Sequence, residues 1–270
     1  FIDDRLAGRD FQTSDVGIGN TRQMLDQCTQ RIAVGGYQDH FASLELRGDR
    51  RFVIGQDAGD GVLEAFGRRN GDPGIARVAG EIEGEGRVNY PDGSVYVGTF
   101  RDGVAEGKGK ITYPDGSTYD GDWTNGVING EGRAEYANGV VYEGAFLDAR
   151  NHGFGIMTYA DGYRYEGEWV DGQREGQGTA TYPDGTVYEG SFKAGQRHGP
   201  GKITMTNGFV YDGAWAGGAI DGQGIATYAN GDVYEGTFKA GKRQGAGTMR
   251  YSTGQQETGQ WENGVLNQGG

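Results

Sequence analysis

Only a few residues of this sequence have the types that catalysis or metal binding requires. They are one cysteine, Cys28, and three histidines, His40, His152 and His198. His152 and His198 hold the same place in a repeated pattern, two units apart, which separates them by roughly 20 Å if each unit is a pair of strands. Side chains this scattered form neither a nucleophile–base pair nor a metal-ligand cluster. We therefore expect no catalytic site, no metal site and no cofactor.

Two glycine-rich stretches resemble a phosphate-binding loop but lack its chemistry. In Gly103–Lys110 and in Gly195–Lys202, five residues separate the two glycines instead of four. An isoleucine then follows the lysine, where a serine or threonine would bind magnesium. A chain with 55 glycines produces such near matches by chance. We expect no nucleotide site at either stretch.

A row of carboxylates recurs at one position of the pattern and is a candidate surface for cations or a basic partner. Its members are Asp120, Glu143, Glu166, Glu189, Asp212 and Glu235. Successive members are expected two strands apart, about 9.6 Å, which is too far for one cation to bind two of them. We favour a solvated face whose charges are partly paired with Arg174, Arg197 or Arg243, and a polyvalent binding surface is the alternative.

A strict 23-residue repeat sets the positions of these residues. Its anchors are Tyr90, Tyr113, Tyr136, Tyr159, Tyr182, Met205, Tyr228 and Tyr251. Two residues after most anchors, Asp or Asn precedes a glycine, as in Asp115-Gly116 and Asn138-Gly139. Such pairs favour hairpin turns, because glycine accepts a positive φ and the Asx side chain can bond to the nearby backbone. A period of this length predicts a solenoid-type array.

Beyond each turn, aromatic residues alternate with a glycine, as in Tyr119, Gly121 and Trp123. Period-two alternation places all three on one face of a β-strand. Ile111 and Tyr113 alternate likewise in the preceding strand, so each unit predicts a β-hairpin with large rings beside a glycine floor. A second set of glycines is expected to turn the chain from one hairpin into the next. Examples of this set are Gly126, Gly130 and Gly132, and Gly172, Gly176 and Gly178.

The large rings at the end of this pattern form a second candidate binding surface. They are Phe100, Trp123, Phe146, Trp169, Phe192, Trp215, Phe238 and Trp261. A single-layer sheet cannot cover both of its faces. We expect most of the ring area to pack against neighbouring repeats, and a groove for a peptide, a helix or a sugar chain is the alternative.

The full pattern, Y-x-D/N-G-x-x-Y-x-G-x-[FW]-x-x-G-x-x-x-G-x-G, resembles the MORN repeat, the membrane occupation and recognition nexus motif. The resemblance covers about residues 80 to 264 in eight copies. It implies an all-β repeat fold: an elongated, twisted, single-layer antiparallel sheet of successive β-hairpins. It also implies a role in assembly or targeting. Met205, Ala149, Thr253 and Glu257 depart from the pattern, and the last copy is expected to be an end cap.

Residues 1–79 differ in composition from residues 80–270 and are predicted to be a small α+β segment. They contain no lysine. Residues 20–34 predict a short helix, with Asn20 as its N-cap and Cys28 on its apolar face. Alternation at about residues 43–54 predicts a hairpin. The segment is expected to be a cap or a degenerate repeat that covers the first edge of the array.

Charge and hydropathy limit the partners. The net charge of −13 argues against nucleic acid and against simple attachment to an anionic membrane. The longest apolar runs are shorter than the 18 residues that a membrane span needs, so we expect no transmembrane helix. The chain begins with Phe1, which suggests processing and leaves the compartment open between cytoplasmic and exported.

These observations favour a non-catalytic scaffold that binds protein partners along a rigid β-ribbon and could form a homo-oligomer. One alternative is a carbohydrate-binding or adhesive surface that uses the aromatic row. A weaker alternative is a module that targets phospholipid membranes, which the family name implies and the acidic composition disfavours.

Overall fold

The computed structural model describes the backbone of residues 51–54, 62–66, 77–78, 81–90 and 92–267, and the side chains of residues 83–90 and 92–267. Several expectations fall outside these residues. They are the helix at 20–34 with Cys28 and the first arm of the hairpin at 43–54.

All regular structure in the described residues is β-strand. The strands are β1 (Arg51–Ile54), β2 (Val62–Phe66), β3 (Arg77–Val78), β4 (Glu81–Ile82), β5 (Gly84–Asn89), β6 (Val95–Arg101), β7 (Val104–Thr112), β8 (Thr118–Thr124), β9 (Val127–Glu135), β10 (Val141–Leu147), β11 (Arg150–Thr158), β12 (Arg164–Val170), β13 (Gln173–Thr181), β14 (Val187–Lys193), β15 (Gln196–Thr204), β16 (Val210–Ala216), β17 (Ala219–Thr227), β18 (Val233–Lys239), β19 (Lys242–Arg250), β20 (Gln256–Glu262) and β21 (Val265–Asn267).

The strands follow one another as hairpins. From β5 to β10, and again from β11 to β21, each strand pairs antiparallel with the next strand along the chain. Nineteen strands belong to one antiparallel sheet, and β3 and β4 form a separate pair. The predicted fold class, a single-layer antiparallel sheet of successive hairpins, is confirmed.

The described residues fall into two compact units, one up to Asn151 and one from His152 onward. In the first unit, β1 pairs with β2, and β2 pairs with β5. β2 pairs with β5 in the register found within the repeats. Ala65 of β2 lies opposite Gly86 of β5, just as Gly98 of β6 lies opposite Gly109 of β7. The boundary expected near residue 80 stays a prediction.

A three-residue turn closes each hairpin at the anchor tyrosine, as the Asp-Gly and Asn-Gly pairs predict. In the turn after β7, the N–H of Gly116 donates to the carbonyl of Tyr113 at 3.0 Å, and the N–H of Ser117 donates to the carboxylate of Asp115 at 2.8 Å. Gly116 has a φ of +90°. Pro114 supplies the fixed φ that the first central position of such a turn favours. These contacts explain why the turn sequence recurs.

A two-residue turn at the other end of the hairpin joins one repeat to the next. Between β8 and β9, Asn125 and Gly126 both have positive φ, +50° and +77°. This is the geometry that suits the twist of a hairpin. The glycines that follow do not belong to the turn, since Gly130 lies opposite Phe146 of β10 and Gly132 lies opposite Gly121 of β8. The expectation that all three glycines turn the chain was therefore correct only for Gly126.

A bulge accompanies six of the two-residue turns. Gly98 and Phe100 of β6 lie opposite Gly109 and Ala105 of β7, so three residues of β7 face one residue of β6. The central one, Gly107, has a φ of +77°. Extra residues of this kind bend a strand locally. The equivalent glycines also have positive φ, namely Gly130, Gly153, Gly176, Gly199, Gly222 and Gly245.

The two-residue turns yield a prediction of stability. Ala240 holds the first turn position with a φ of +45°, where other repeats use asparagine, such as Asn125. Because asparagine tolerates the left-handed region better than alanine, Ala240→Asn should raise the free energy of unfolding by about 0.5–1 kcal/mol. Urea unfolding followed by circular dichroism measures the change. The reverse substitution, Asn125→Ala, should lower it by a similar amount, and an equal loss in both variants would contradict the explanation.

Candidate interaction surfaces

Side chains of each strand alternate between two faces of the sheet. In β8, Tyr119 and Trp123 lie on one face with Gly121, whereas Asp120 and Asp122 lie on the other. We call the first the aromatic face and the second the polar face, and the same division applies to every repeat. The aromatic face contains the core of the array, since its rings are the largest buried side chains.

One buried tyrosine per repeat occupies the centre of the aromatic face. These inner tyrosines are Tyr96, Tyr119, Tyr142, Tyr165, Tyr188, Tyr211 and Tyr234, each at most 1% exposed. The ring of Tyr119 lies across two glycines that face each other, Gly121 and Gly132. A Cβ added to Gly132 would come within 2.4 Å of the ring. The hydroxyl of Tyr119 donates to the carbonyl of Asp122 at 3.0 Å, so the ring is fixed at both ends.

Within each unit, the inner tyrosines alternate with the predicted aromatic row in a ladder of edge-to-face contacts. The centroid of Tyr188 is 5.2 Å from Phe192 of its own repeat and 5.2 Å from Trp215 of the next. The interplanar angles are 86° and 83°. This is the arrangement that aromatic quadrupoles favour. Each repeat therefore supplies half of its neighbour's core.

The tryptophans are also held by their indole N–H groups. Trp123 donates to the carbonyl of Gly109 at 3.0 Å, and Trp215 donates to that of Gly201 at 2.9 Å. These glycines belong to the floor beneath the inner tyrosine of the preceding repeat. Each tryptophan ring thus packs against other rings, and its indole N–H has a backbone acceptor within the sheet.

The eight rings of the predicted aromatic row are buried. Their exposed fractions lie between 1% and 5% for Phe100, Trp123, Phe146, Trp169, Phe192, Trp215, Phe238 and Trp261. Packing against neighbouring repeats, the favoured interpretation, therefore accounts for their area. No ring of this row presents an open face in the described residues, so stacking of a sugar on it finds no support. A binding role for the row stays a prediction.

Three arginines lie on the aromatic face, which the sequence interpretation had wrong. They were expected to pair with the acidic row. Instead, the guanidinium of Arg197 lies 4.5 Å from the Trp215 ring centroid, and that of Arg243 lies 4.3 Å from Trp261. Arg174 donates to the carbonyl of Gly195 at 2.5 Å. Their strand position is opposite a Phe or Trp ring, so each guanidinium stacks on aromatic rings of this face.

The acidic row lies on the polar face, as its alternation predicts. Four of its members have a basic partner: Asp120 with Lys110 at 3.9 Å, Glu143 with Arg133 at 2.7 Å, Glu166 with Arg164 at 2.7 Å and Glu235 with Arg250 at 3.0 Å. Glu189 and Asp212 have no ion pair among the described residues, although Lys202 lies between them in the register. The row is therefore a largely exposed ladder of mixed charge, and its role in binding stays a prediction.

A contact between successive repeats escaped the sequence interpretation. Glu106 accepts the backbone N–H of Asn125 at 2.8 Å, and Glu175 accepts that of Ala194 at 2.8 Å. Each acceptor thereby binds the two-residue turn of the following repeat. The remaining pairs are Glu83 with Asp102, Asn129 with Asp148, Asp221 with Ala240, and Gln244 with Asn263. The available signal was an acceptor side chain 19 residues before six of the two-residue turns.

The equivalent strand position is a histidine in two repeats, at His152 and His198. They lie in β11 and β15. Nδ1 of His152 is buried and has no hydrogen-bond partner in the described structure. Across the described part of the chain, no group of three or more His, Cys, Asp or Glu side chains could hold a metal ion. The described residues likewise include no helix that is long and apolar enough to span a membrane.

The repeat pattern of the family described as MORN repeat matches seven consecutive segments. They are residues 96–118, 119–141, 142–162, 165–187, 188–210, 211–233 and 234–256. Together they cover more than half of the chain. The chain belongs to the MORN-repeat family. Its MORN geometry continues beyond the last matched segment, since Trp261 packs against Tyr234 at 5.3 Å as in earlier repeats.

Several solved structures are partly similar to this MORN array. The TCP10 domain of Danio rerio CPAP, in complex with a peptide of Danio rerio STIL, is 14% identical at a TM-score of 0.41, over 69% of this chain and 82% of that domain. The SAS-4 (dCPAP) TCP domain of Drosophila melanogaster, in complex with a proline-rich motif of Ana2, is 13% identical at a TM-score of 0.34, over 72% and 99% of the two chains. No curated protein sequence matches the chain.

The glycine floor yields a second prediction. Gly132→Ala should lower the free energy of unfolding by about 2–3 kcal/mol, because its Cβ would collide with the Tyr119 ring. Glu131→Ala is the matched control on the polar face of the same strand, and a change within about 0.5 kcal/mol is expected there. Urea unfolding of both variants, followed by tryptophan fluorescence, makes the comparison. Equal losses would show that the ring does not depend on the bare glycine.

The inner tyrosines yield a prediction of pH dependence. Burial raises the pKa of Tyr96, Tyr119, Tyr165 and Tyr211 well above the ordinary value near 10. Below pH 10 these groups are neutral in both states and stability is unaffected by them. Above pH 10 only the unfolded state ionises, so the free energy of unfolding should fall with further rise in pH.

Absorbance at 295 nm and circular dichroism, recorded together during alkaline titration, test this expectation. The phenolate signal of the inner tyrosines should appear only as the β-sheet signal is lost. Full ionisation of all tyrosines with the sheet intact would contradict the burial described above.

Proposed function

We propose that this MORN array is a non-catalytic scaffold that binds protein partners through its polar face. The observation that carries the proposal is the difference between the two faces. On the aromatic face the same residues recur and are buried, so they can distinguish no partner. On the polar face the residues are exposed and change from repeat to repeat, as in the series Val97, Asp120 and Glu143.

Physical properties of the polar face support protein recognition. Its acidic side chains recur once in each of six successive repeats and so form a regular row of charge. A partner with complementary charges would be oriented by this row, and electrostatic complementarity gives specificity in protein association. The hydrogen-bonded turns and the ring ladder hold each repeat in a fixed position relative to the next within a unit. A preordered surface avoids much of the entropic cost that binding imposes on flexible segments.

The proposal assigns no chemistry to the repeats. His152 and His198 lie two repeats apart, at positions where other repeats place a hydrogen-bond acceptor for a turn. This arrangement favours a structural use of the two histidines. Membership of the MORN family, whose arrays typically act in assembly or targeting, supports the same conclusion.

Capture of partners from the native extract tests the proposal. We expect the full chain to retain a protein partner in stoichiometric amount and a double variant, Glu189→Gln with Asp212→Asn, to retain at least tenfold less. Neither carboxylate has an ion pair in the described structure, so the fold should be unchanged. The control removes two charges elsewhere, by Asp115→Asn with Asp184→Asn, at turn positions where other repeats already use asparagine.

Quantitative mass spectrometry of the captured material, with light scattering of the purified chain, provides the readout. Failure of the full chain to retain any stoichiometric partner would overturn the scaffold. An equal loss in both double variants would instead show that net charge, and not the polar face, controls binding.

A further inference from the structure

An apolar cluster interrupts the polar face of β11 and β12. It consists of Phe154 and Ile156 on β11 and Val170 on β12, and we call it the Phe154 patch. Phe154 is 58% exposed and Val170 is 46% exposed. Phe154 is the most exposed aromatic side chain among the large exposed hydrophobic residues of the described structure. Ile156 is half-buried and lies two residues from Phe154 on the same strand, and Val170 lies two residues beyond Glu168, the register partner of Phe154. Apolar side chains grouped in this way on an otherwise polar surface mark interaction sites.

The fold does not require an apolar residue at these positions. The position of Phe154 is polar or small in all the other repeats, where it is Glu85, Lys108, Glu131, Gln177, Pro200, Gln223 or Ala246. The position of Val170 is polar in five other repeats, with Arg101, Thr124, Lys193, Lys239 and Glu262, and apolar in two, with Leu147 and Ala216. The position of Ile156 is polar in six other repeats, with Arg87, Lys110, Arg133, Thr179, Lys202 and Thr248, and apolar in one, with Ile225. Phe154, Ile156 and Val170 therefore do not serve the core, which lies on the opposite face.

Carboxylates lie directly beside the patch. Glu168 is opposite Phe154 in the register, and Glu166 is opposite Ile156. Glu166 pairs with Arg164 at 2.7 Å. Glu168 accepts the backbone N–H of Gln177 at 3.0 Å and has no ion pair in the described part of the chain. An exposed ring thus lies next to a carboxylate whose charge is uncompensated.

We propose that the Phe154 patch is the docking site for a protein segment that presents a large apolar side chain next to a lysine or arginine. The inference rests on the proposed scaffold function and names the partner chemistry of one place on the polar face. The apolar side chain of the partner covers Phe154, Ile156 and Val170. Its cation pairs with Glu168, at a partly desolvated site where the attraction is stronger than on open surface.

Charge argues against a second copy of this chain as the occupant. A two-fold symmetric contact brings the same patch of both copies together. Glu168 and Glu166 would then face their own equivalents, in a chain whose net charge is already −13. Like charges across an interface are unfavourable, so a basic segment fits the patch better than the patch fits itself.

Selection from a random peptide library displayed on phage tests the proposal. The full chain is the target, and Phe154→Gln is the matched variant, because Gln177 and Gln223 hold the equivalent position in other repeats. We expect peptides that bind the native chain at least tenfold better than Phe154→Gln, with a large apolar residue beside Lys or Arg. Glu168→Gln should also weaken them at least threefold. Gln223→Ala, a change at the same position three repeats away, should leave them unaffected.

Three results would overturn the proposal. The selection could give no peptide that depends on Phe154, or dependent peptides that lack a basic residue. Light scattering could show that the native chain self-associates and that Phe154→Gln is a monomer, which would identify a second copy as the occupant. Circular dichroism and thermal unfolding show whether each variant is folded. If Phe154→Gln does not fold, the loss of peptide binding in Glu168→Gln tests the proposal independently.

The two proposals can fail separately. If a captured protein partner binds Phe154→Gln and the native chain equally tightly, the scaffold function is supported and the Phe154 patch is not its docking site. Absence of any captured partner would remove the scaffold function, whereas the peptide selection would still decide whether the patch recognises an apolar and basic segment.

Discussion

The structure depends on a tyrosine ring that lies flat over two glycines facing each other on adjacent strands. The hollow exists only because neither glycine has a Cβ, and the ring fills it while its hydroxyl binds the backbone three residues further on. With the ring fixed there, its edges meet the Phe or Trp of its own repeat and of the next. The high glycine content and the strict 23-residue period both follow from this contact, because a shift of one residue would place a side chain in the hollow.

This packing solves the problem of burying a core within a single layer of sheet. A flat sheet would leave its aromatic face exposed, yet the inner tyrosines and the Phe and Trp rings are almost completely inaccessible. Edge-to-face contacts between repeats, indole hydrogen bonds to the floor and bulges at equivalent points of six strand pairs together cover the rings. The buried rings thus lie on one face, and residues of the opposite face can change from repeat to repeat while the rings stay covered.

The sequence predicted the hairpins, the turn residues and the shared face of the rings, because glycine conformation and period-two alternation are local properties. It predicted less well whatever depends on register between strands. The bulge cannot be recognised in one strand, since it is a mismatch between two, and so Gly130 and Gly132 were assigned to a turn. The faces of Arg174, Arg197 and Arg243 were predicted wrongly for the same reason. A bulge lies between each arginine and the later residues of its strand, so the period-two alternation of those residues does not extend back to the arginine. The Phe154 patch was visible in the sequence as an exception to a polar position, but its exposure and its carboxylate neighbours required the pairing of β11 with β12.

The acceptor side chains that bind the turn of the following repeat have a consequence for how such a protein changes over time. Together with the ring ladder, they restrict nearly every stabilising contact within a unit to adjacent repeats. A whole repeat can therefore be gained or lost by duplication or deletion without leaving a distant residue unpartnered. Length becomes a property that selection can adjust in steps of one hairpin, independently of the surface that each repeat displays.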